Sequence, residues 1–196
     1  MKLWPFFSIL LLVWQLPLLG QETASTRDEQ KGHDALADGL WEVAEQHFRM
    51  RLVDPTLSQV AKSQVAMRLA EAFVCSGSFD EALDLLGQSF VVKNADFSFW
   101  KAQALTGKNR FKEAVDIFST LLADAAAPYR TEAGFTRASL LLALDHPASA
   151  LDTLTQLAQG ADASTQVKIQ LYQVEILLDL GGIESARKLM PMFENV

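Results

Sequence analysis

One phrase governs what this chain can become. "GSFDEALDLL", at residues 77–86, returns in looser form as "GLWEVAEQHF", "NRFKEAVDIF", "DHPASALDTL" and "GGIESARKLM". Aligned on their alanines (Ala44, Ala82, Ala114, Ala150 and Ala186), the copies are spaced by 38, 32, 36 and 36 residues. A recurrence in the mid-thirties marks a stacked array, in which no single unit can bury its apolar face alone.

Each copy follows an apolar segment of helical period. In "VAMRLAEAFVCSG", Val65, Leu69 and Phe73 recur at i, i+4 and i+8, with Ala66 and Ala70 beside them. A glycine or its substitute stands where that helix must end. "FDEALDLL" then opens a second helix with acids in its first turn, where the helix dipole favours them. The unit is therefore two antiparallel helices joined by a tight turn. The aromatics Trp41, Phe79 and Phe111 are expected to anchor the second helix on the first. The alanine marks the point where the two backbones come close. The large residue after it (Phe48, Leu86, Phe118, Leu154 or Met190) is expected to fill the space towards the next unit.

This pattern resembles the tetratricopeptide repeat family, from about Gln21 to the C-terminus. The family's small first-helix residue lies seven positions before the turn, and here Gly32, Ala70, Ala102 and Ala138 precede Gly39, Gly77, Asn109 and Asp145. The aromatic or leucine three later is matched by Phe73, Leu105, Leu141 and Leu177. Departures are Pro147 in place of the fourth aromatic, Val174 in place of the fifth small residue, a weak Ala35, and a closing proline, Pro55, in the first unit only. The resemblance implies an all-α, right-handed superhelical solenoid of about five helix pairs. The units run roughly over 25–57, 60–92, 95–127, 131–160 and 165–196.

The first 20 residues are read apart from that fold. Lys2 precedes an uncharged run from Leu3 to Leu19, followed by small and polar residues. That layout is a secretory signal peptide cleaved after Gly20, with Ala24 as second choice. Uncleaved, it would be an anchor, although about 17 residues is short for a hydrocarbon core of about 30 Å. No cysteine follows the run, which argues against a lipid-modified lipoprotein. The chain is expected to be exported, to the periplasm, the cell envelope or the medium. With one cysteine, Cys75, no intrachain disulfide is possible. Cys75 reads as a small apolar filler within a helix.

Chemistry is not written into the sequence. His33 and His47 fall on different helices of the first unit and His146 in the fourth, and none has a convincing second ligand one turn away. His47 reads as an exposed helix position. "GKNR" after Thr106 lacks the glycine-rich lead-in of a phosphate loop, and "GG" at 181–182 is a turn. No cofactor, metal site or catalytic residue is expected. A formal charge of −7 argues against nucleic acid and anionic lipid as partners. Membrane contact is expected only through Leu3 to Leu19, if uncleaved.

What remains is a surface. By the resemblance, the first helices line a concave groove. Its positions carry Gln64, Arg68 and Glu71; Phe99, Trp100 and Gln103; Glu132, Phe135 and Ser139; and Lys168, Tyr172 and Glu175. For Phe99, Trp100 and Phe135 a purely structural place in the core is an equal alternative. Aromatics among mixed polar groups suit a protein or peptide partner. Too few bases are present for capture of a peptide carboxylate. The last unit is apolar (Leu177, Leu178, Leu180, Met190, Met192 and Phe193), so this end is a second expected docking surface, if it is not self-associating or continued in a longer array. The expected function is an exported, non-catalytic scaffold for protein–protein interaction in envelope assembly or secretion. Two further readings stay open: a regulatory or targeting module of a longer protein, and a membrane-tethered structural subunit.

Overall fold

The structure, a computed structural model, describes residues 24–189. The expected signal segment and the closing residues 190–196, with Met190, Met192 and Phe193, lie outside the described residues. Among the described residues there are ten helices and no strand: α1 (Ala24–Ala37), α2 (Trp41–Leu52), α3 (Gln59–Ser76), α4 (Phe79–Leu86), α5 (Ala95–Gly107), α6 (Phe111–Ala123), α7 (Arg130–Ala143), α8 (Pro147–Ala158), α9 (Ala163–Asp179) and α10 (Ile183–Leu189). Consecutive helices pack as antiparallel pairs, and each pair leans on the next to form a right-handed solenoid.

All five pairs turn by one device. Gly39, Gly77, Asn109, Asp145 and Gly181 hold the same place in the repeat, and all have positive φ, between 59° and 85°. The backbone there closes the two hydrogen bonds of a Schellman cap. In the second pair, Ser78 N donates to Phe73 O at 2.7 Å and Gly77 N to Val74 O at 3.2 Å. The other four turns repeat both bonds. Asparagine and aspartate stand in for glycine because their side chains tolerate the left-handed region better than most. Two residues past the turn residue, Pro147 occupies the first turn of α8 without loss, because the amide it lacks would be unbonded there anyway.

Packing follows from the turns. Ala44, Ala82, Ala114 and Ala150 are fully buried, and Ala186 nearly so. The amide of each bonds back across the turn to open the second helix, as Ala82 N does to Ser78 O at 3.1 Å. Two expected contacts are redirected. Phe48 is buried, but its ring lies on Gly32 of its own first helix: a Cβ at Gly32 would come within 2.8 Å of it. Phe79 reaches the next unit instead, since a Cβ on Gly107 would stand 2.3 Å from its ring. The buried core forms two clusters, one around Phe48 and Phe73 and one through Leu105, Phe118, Leu141, Leu154 and Ile169, and the partly buried Leu52, Val74, Leu83 and Leu85 pack against both.

Polar groups close the seams. Ser58, Asn94 and Asp162 cap α3, α5 and α9. Buried Glu45 accepts from Ser76 Oγ at 2.6 Å, tying α2 to α3. The Arg130 guanidinium donates to the carbonyls of Leu122, Gln156 and Leu157, at the C-terminal ends of α6 and α8. Carbonyls in the last turn of a helix run out of intrahelical donors, and Gln156 O accepts the Gln159 amide as well.

Two substitutions test this account by thermal or denaturant unfolding. No atom lies within 4 Å of a Cβ built on Gly77, so Gly77→Ala should lose only backbone freedom, about 1 kcal/mol. Gly107→Ala should lose about 1–3 kcal/mol through collision with the Phe79 ring, and Phe79→Leu should recover part of it.

Candidate functional site: the concave face

The first helices of the pairs, α1, α3, α5, α7 and α9, share one side of the solenoid, and the expected groove residues fall into three groups along it. At the N-terminal end, α1, α3 and the start of α5 enclose a cleft of about 430 Å³. Its lining includes Glu29, His33, Gln64, Arg68, Asn94 and Asp96. Arg68 Nη1 donates to Glu71 Oε2 at 2.8 Å, so these two expected residues are partners. Burial by itself would lower the Arg68 pKa, but the hydrogen bond and charge of Glu71 outweigh it and raise the pKa.

The middle of the face differs from expectation. Phe99 and Trp100 are 4% and 9% exposed and belong to the core. They pack edge to face with centroids 5.0 Å apart, and Phe99 stacks on Tyr129 at 4.3 Å. A partner could not reach Phe99 without parting α5 from the unit that follows. The aromatic left half-buried at this point is Tyr129, in the loop before α7, held with φ at 64°. Its phenol is pushed above the ordinary range by burial and by the charge of Asp96, with Arg68 opposing. Gln103, on the same helix as Trp100, is half-buried.

Towards the C-terminal end, three expected residues meet. The rings of Phe135 and Tyr172 stack with centroids 6.4 Å apart, and the Tyr172 hydroxyl lies 2.8 Å from Ser139 Oγ. The contact joins α7 to α9 and stays open to solvent. Glu132, Lys168 and Glu175 are exposed around it. Across the face, the acids Glu29, Glu71, Asp96, Glu132 and Glu175 outnumber Arg68 and Lys168. Glu29 is held by Arg51 at 2.9 Å and Glu71 by Arg68, which leaves the rest of the face net acidic.

Tyr129, Asp96 and His33 were not singled out for the groove from sequence. Tyr129 sits in a loop, where helical spacing gives no guidance. Asp96 in "NADFSFW" reads as an ordinary first-turn acid, and His33 looked like an isolated imidazole.

Among the described residues, no group of three or more His, Cys, Asp or Glu is placed to hold a metal ion. Cys75 is exposed on the surface of α3 and not packed as a filler. Partial burial, and then the charge of Glu71, raise its thiol pKa, which suppresses the nucleophilic thiolate. His47 is partly buried and not exposed, with Nδ1 3.4 Å from Asp28 Oδ1.

No family model matches the sequence, and no curated protein matches it. Solved structures do match it in shape. A kinesin light chain protein of Podosopora anserina with nearly identical TPR-like repeats superposes with a TM-score of 0.68 at 15% identity, over 86% of this chain and 92% of that one. The protein MamA gives 0.62 at 14%, over 85% and 88%. A tetratricopeptide repeat protein of Parabacteroides merdae ATCC 43184 gives 0.55 at 15%, over 87% and 79%. At such identities it is the fold that is shared: a tetratricopeptide-repeat solenoid.

The setting of Tyr129 can be read by ultraviolet titration, because the chain has 2 tyrosines. In a Tyr172→Phe chain, the remaining phenol should titrate above the ordinary value of about 10. Adding Asp96→Asn should lower that midpoint by removing the anion that disfavours phenolate.

Proposed function

We propose that this chain is an exported scaffold without catalysis of its own, which holds a protein or peptide partner along its concave face, in cell-envelope assembly or secretion. The observation that carries the reading is the exposed and half-buried aromatic and polar set on the first helices, from Arg68 and Tyr129 to Phe135, Ser139 and Tyr172. Such a surface suits rigid aromatic anchors with adaptable polar neighbours. Its acidic balance favours a neutral or basic segment of the partner over a peptide carboxylate. Absence of catalysis is supported by the scattered histidines and the suppressed thiol. Export is supported by the charged-then-apolar start of the sequence, and no described helix is long and apolar enough to cross a membrane.

The test is site-specific photocrosslinking in the native host. A crosslinker at Gln64 or Ser139, on the groove, should give adducts that one at Lys112 or Glu81, on second helices, does not. Glu132→Lys should reduce the groove adducts about tenfold or more, by setting a base against the partner's basic segment. Equal labelling at all four positions would remove the groove from the function. N-terminal sequencing of the exported chain should find a start near Gln21, and an intact Met1 would indicate a membrane-tethered subunit instead.

A further inference from the structure

The two ends of the solenoid are built differently. At the N-terminal end, α1 turns Arg27, Gln30, Lys31 and Asp34 to solvent. This is a charged stripe at i, i+3, i+4 and i+7, the dress of a capping helix. At the other end, α9 exposes Leu171 and Leu178 at 53% and 51%, with Val174 half-exposed between them. Leu180 and Ile183, at the turn into α10, are exposed too.

The repeat shows what these leucines are for. Leu171 holds the place of Met67, Phe99 and Phe135 in earlier units. Met67 and Phe99 are covered by the unit that follows, and Phe135 partly so: α3 packs on α5, Phe99 stacks on Tyr129, and Phe135 stacks on Tyr172. Leu178 holds the place of Leu142, which packs on the core. The α9 face therefore has the chemistry of a helix-covered surface, without a covering helix among the described residues.

We propose that this face is covered by α9 of a second copy, in an antiparallel, two-fold symmetric pair. The argument for that occupant is charge. Beside the apolar stripe, on its groove side, α9 carries exposed Lys168 towards its start and exposed Glu175 and Asp179 towards its end. A two-fold axis passing near Val174 places the charged flanks of both copies on the same side. Lys168 of each then faces the Asp179 end of the other, twice over, while Leu171 packs between the partner's Val174 and Leu178. A parallel copy would turn the two charged flanks to opposite sides of the pair, so that Lys168 of one copy would not meet Asp179 of the other. An antiparallel pair is isologous and closes on itself, so association stops at the dimer. It would also join two concave faces into one assembly, which raises avidity for a partner that presents its segment twice.

Sedimentation equilibrium of the full chain, in reducing buffer so that Cys75 forms no crosslink, tests this. The wild type should be a dimer, and Leu171→Glu with Leu178→Glu should raise its dissociation constant about 100-fold or more by burying unpaired charge. Both side chains are exposed in the single chain, so folding is spared, and an unchanged far-ultraviolet helical spectrum checks it. Lys168→Glu should weaken the dimer about three- to tenfold. Adding Asp179→Lys to Lys168→Glu should return it to within about twofold. That rescue is specific to antiparallel pairing, because in a parallel pair the two flanks lie on opposite sides and Lys168 never faces the partner's Asp179. A monomeric wild type, a dimer indifferent to the leucine changes, or failure of the charge exchange to rescue would each overturn the proposal.

Discussion

Everything in this molecule depends on how closely two helices approach within one pair. The left-handed residue at each turn reverses the chain within two residues, and the Schellman bonds fix the angle at which it re-enters helix. That geometry brings the second helix so near the first that only a methyl fits at Ala44, Ala82, Ala114, Ala150 and Ala186. A larger residue there would pry the pair open, and overpacked cores recover poorly. Since the same turn is used five times, the same small rotation recurs five times, and the solenoid with its concave face follows.

Contacts between units add the second level of order. Phe79 seated on Gly107 and the Arg130 fork on the ends of α6 and α8 tie each pair to its neighbour. Such nearest-neighbour terms are what stabilise a one-dimensional array. They also set its weak point. A terminal unit has one neighbour instead of two, so its outer face must be made polar or be covered. Here α1 is polar, whereas α9 keeps the apolar residues of an interior unit.

The groove is shaped by the same economy of contacts. Side chains that face across the gap between successive first helices are drawn into the core, as Phe99 and Trp100 are. Those that face outward from a single helix, such as Gln64, Glu132 and Lys168, stay available. The concave face thus has two open stretches, one around Arg68 and one around Tyr172, separated by the aromatic seam of Phe99, Trp100 and Tyr129.

The fold was legible because its cause is local: a turn residue, an alanine and an apolar period act over fewer than ten positions, and repetition makes a weak signal strong. Even the substitutions at Asn109, Asp145 and Pro147 are readable as residues that satisfy one backbone requirement by other means. The site was legible only in part. Periodicity says that a residue lies on a helix face, but the surface it meets belongs to another unit. Phe135 and Phe99 hold the same repeat position, yet one remains open beside Tyr172 and the other is closed by Tyr129. That difference was made by a loop whose conformation no spacing rule encodes. The amino-acid order by itself determined the paired helices and their recurrence, because each is set by backbone geometry within a unit, while the right-handed stacking was implied by the family resemblance. Only the tertiary structure decided which aromatics face solvent, how Arg68 and Tyr172 are partnered and which apolar residues stay exposed among the described residues, because burial is a property of the neighbour that arrives and not of the residue that waits.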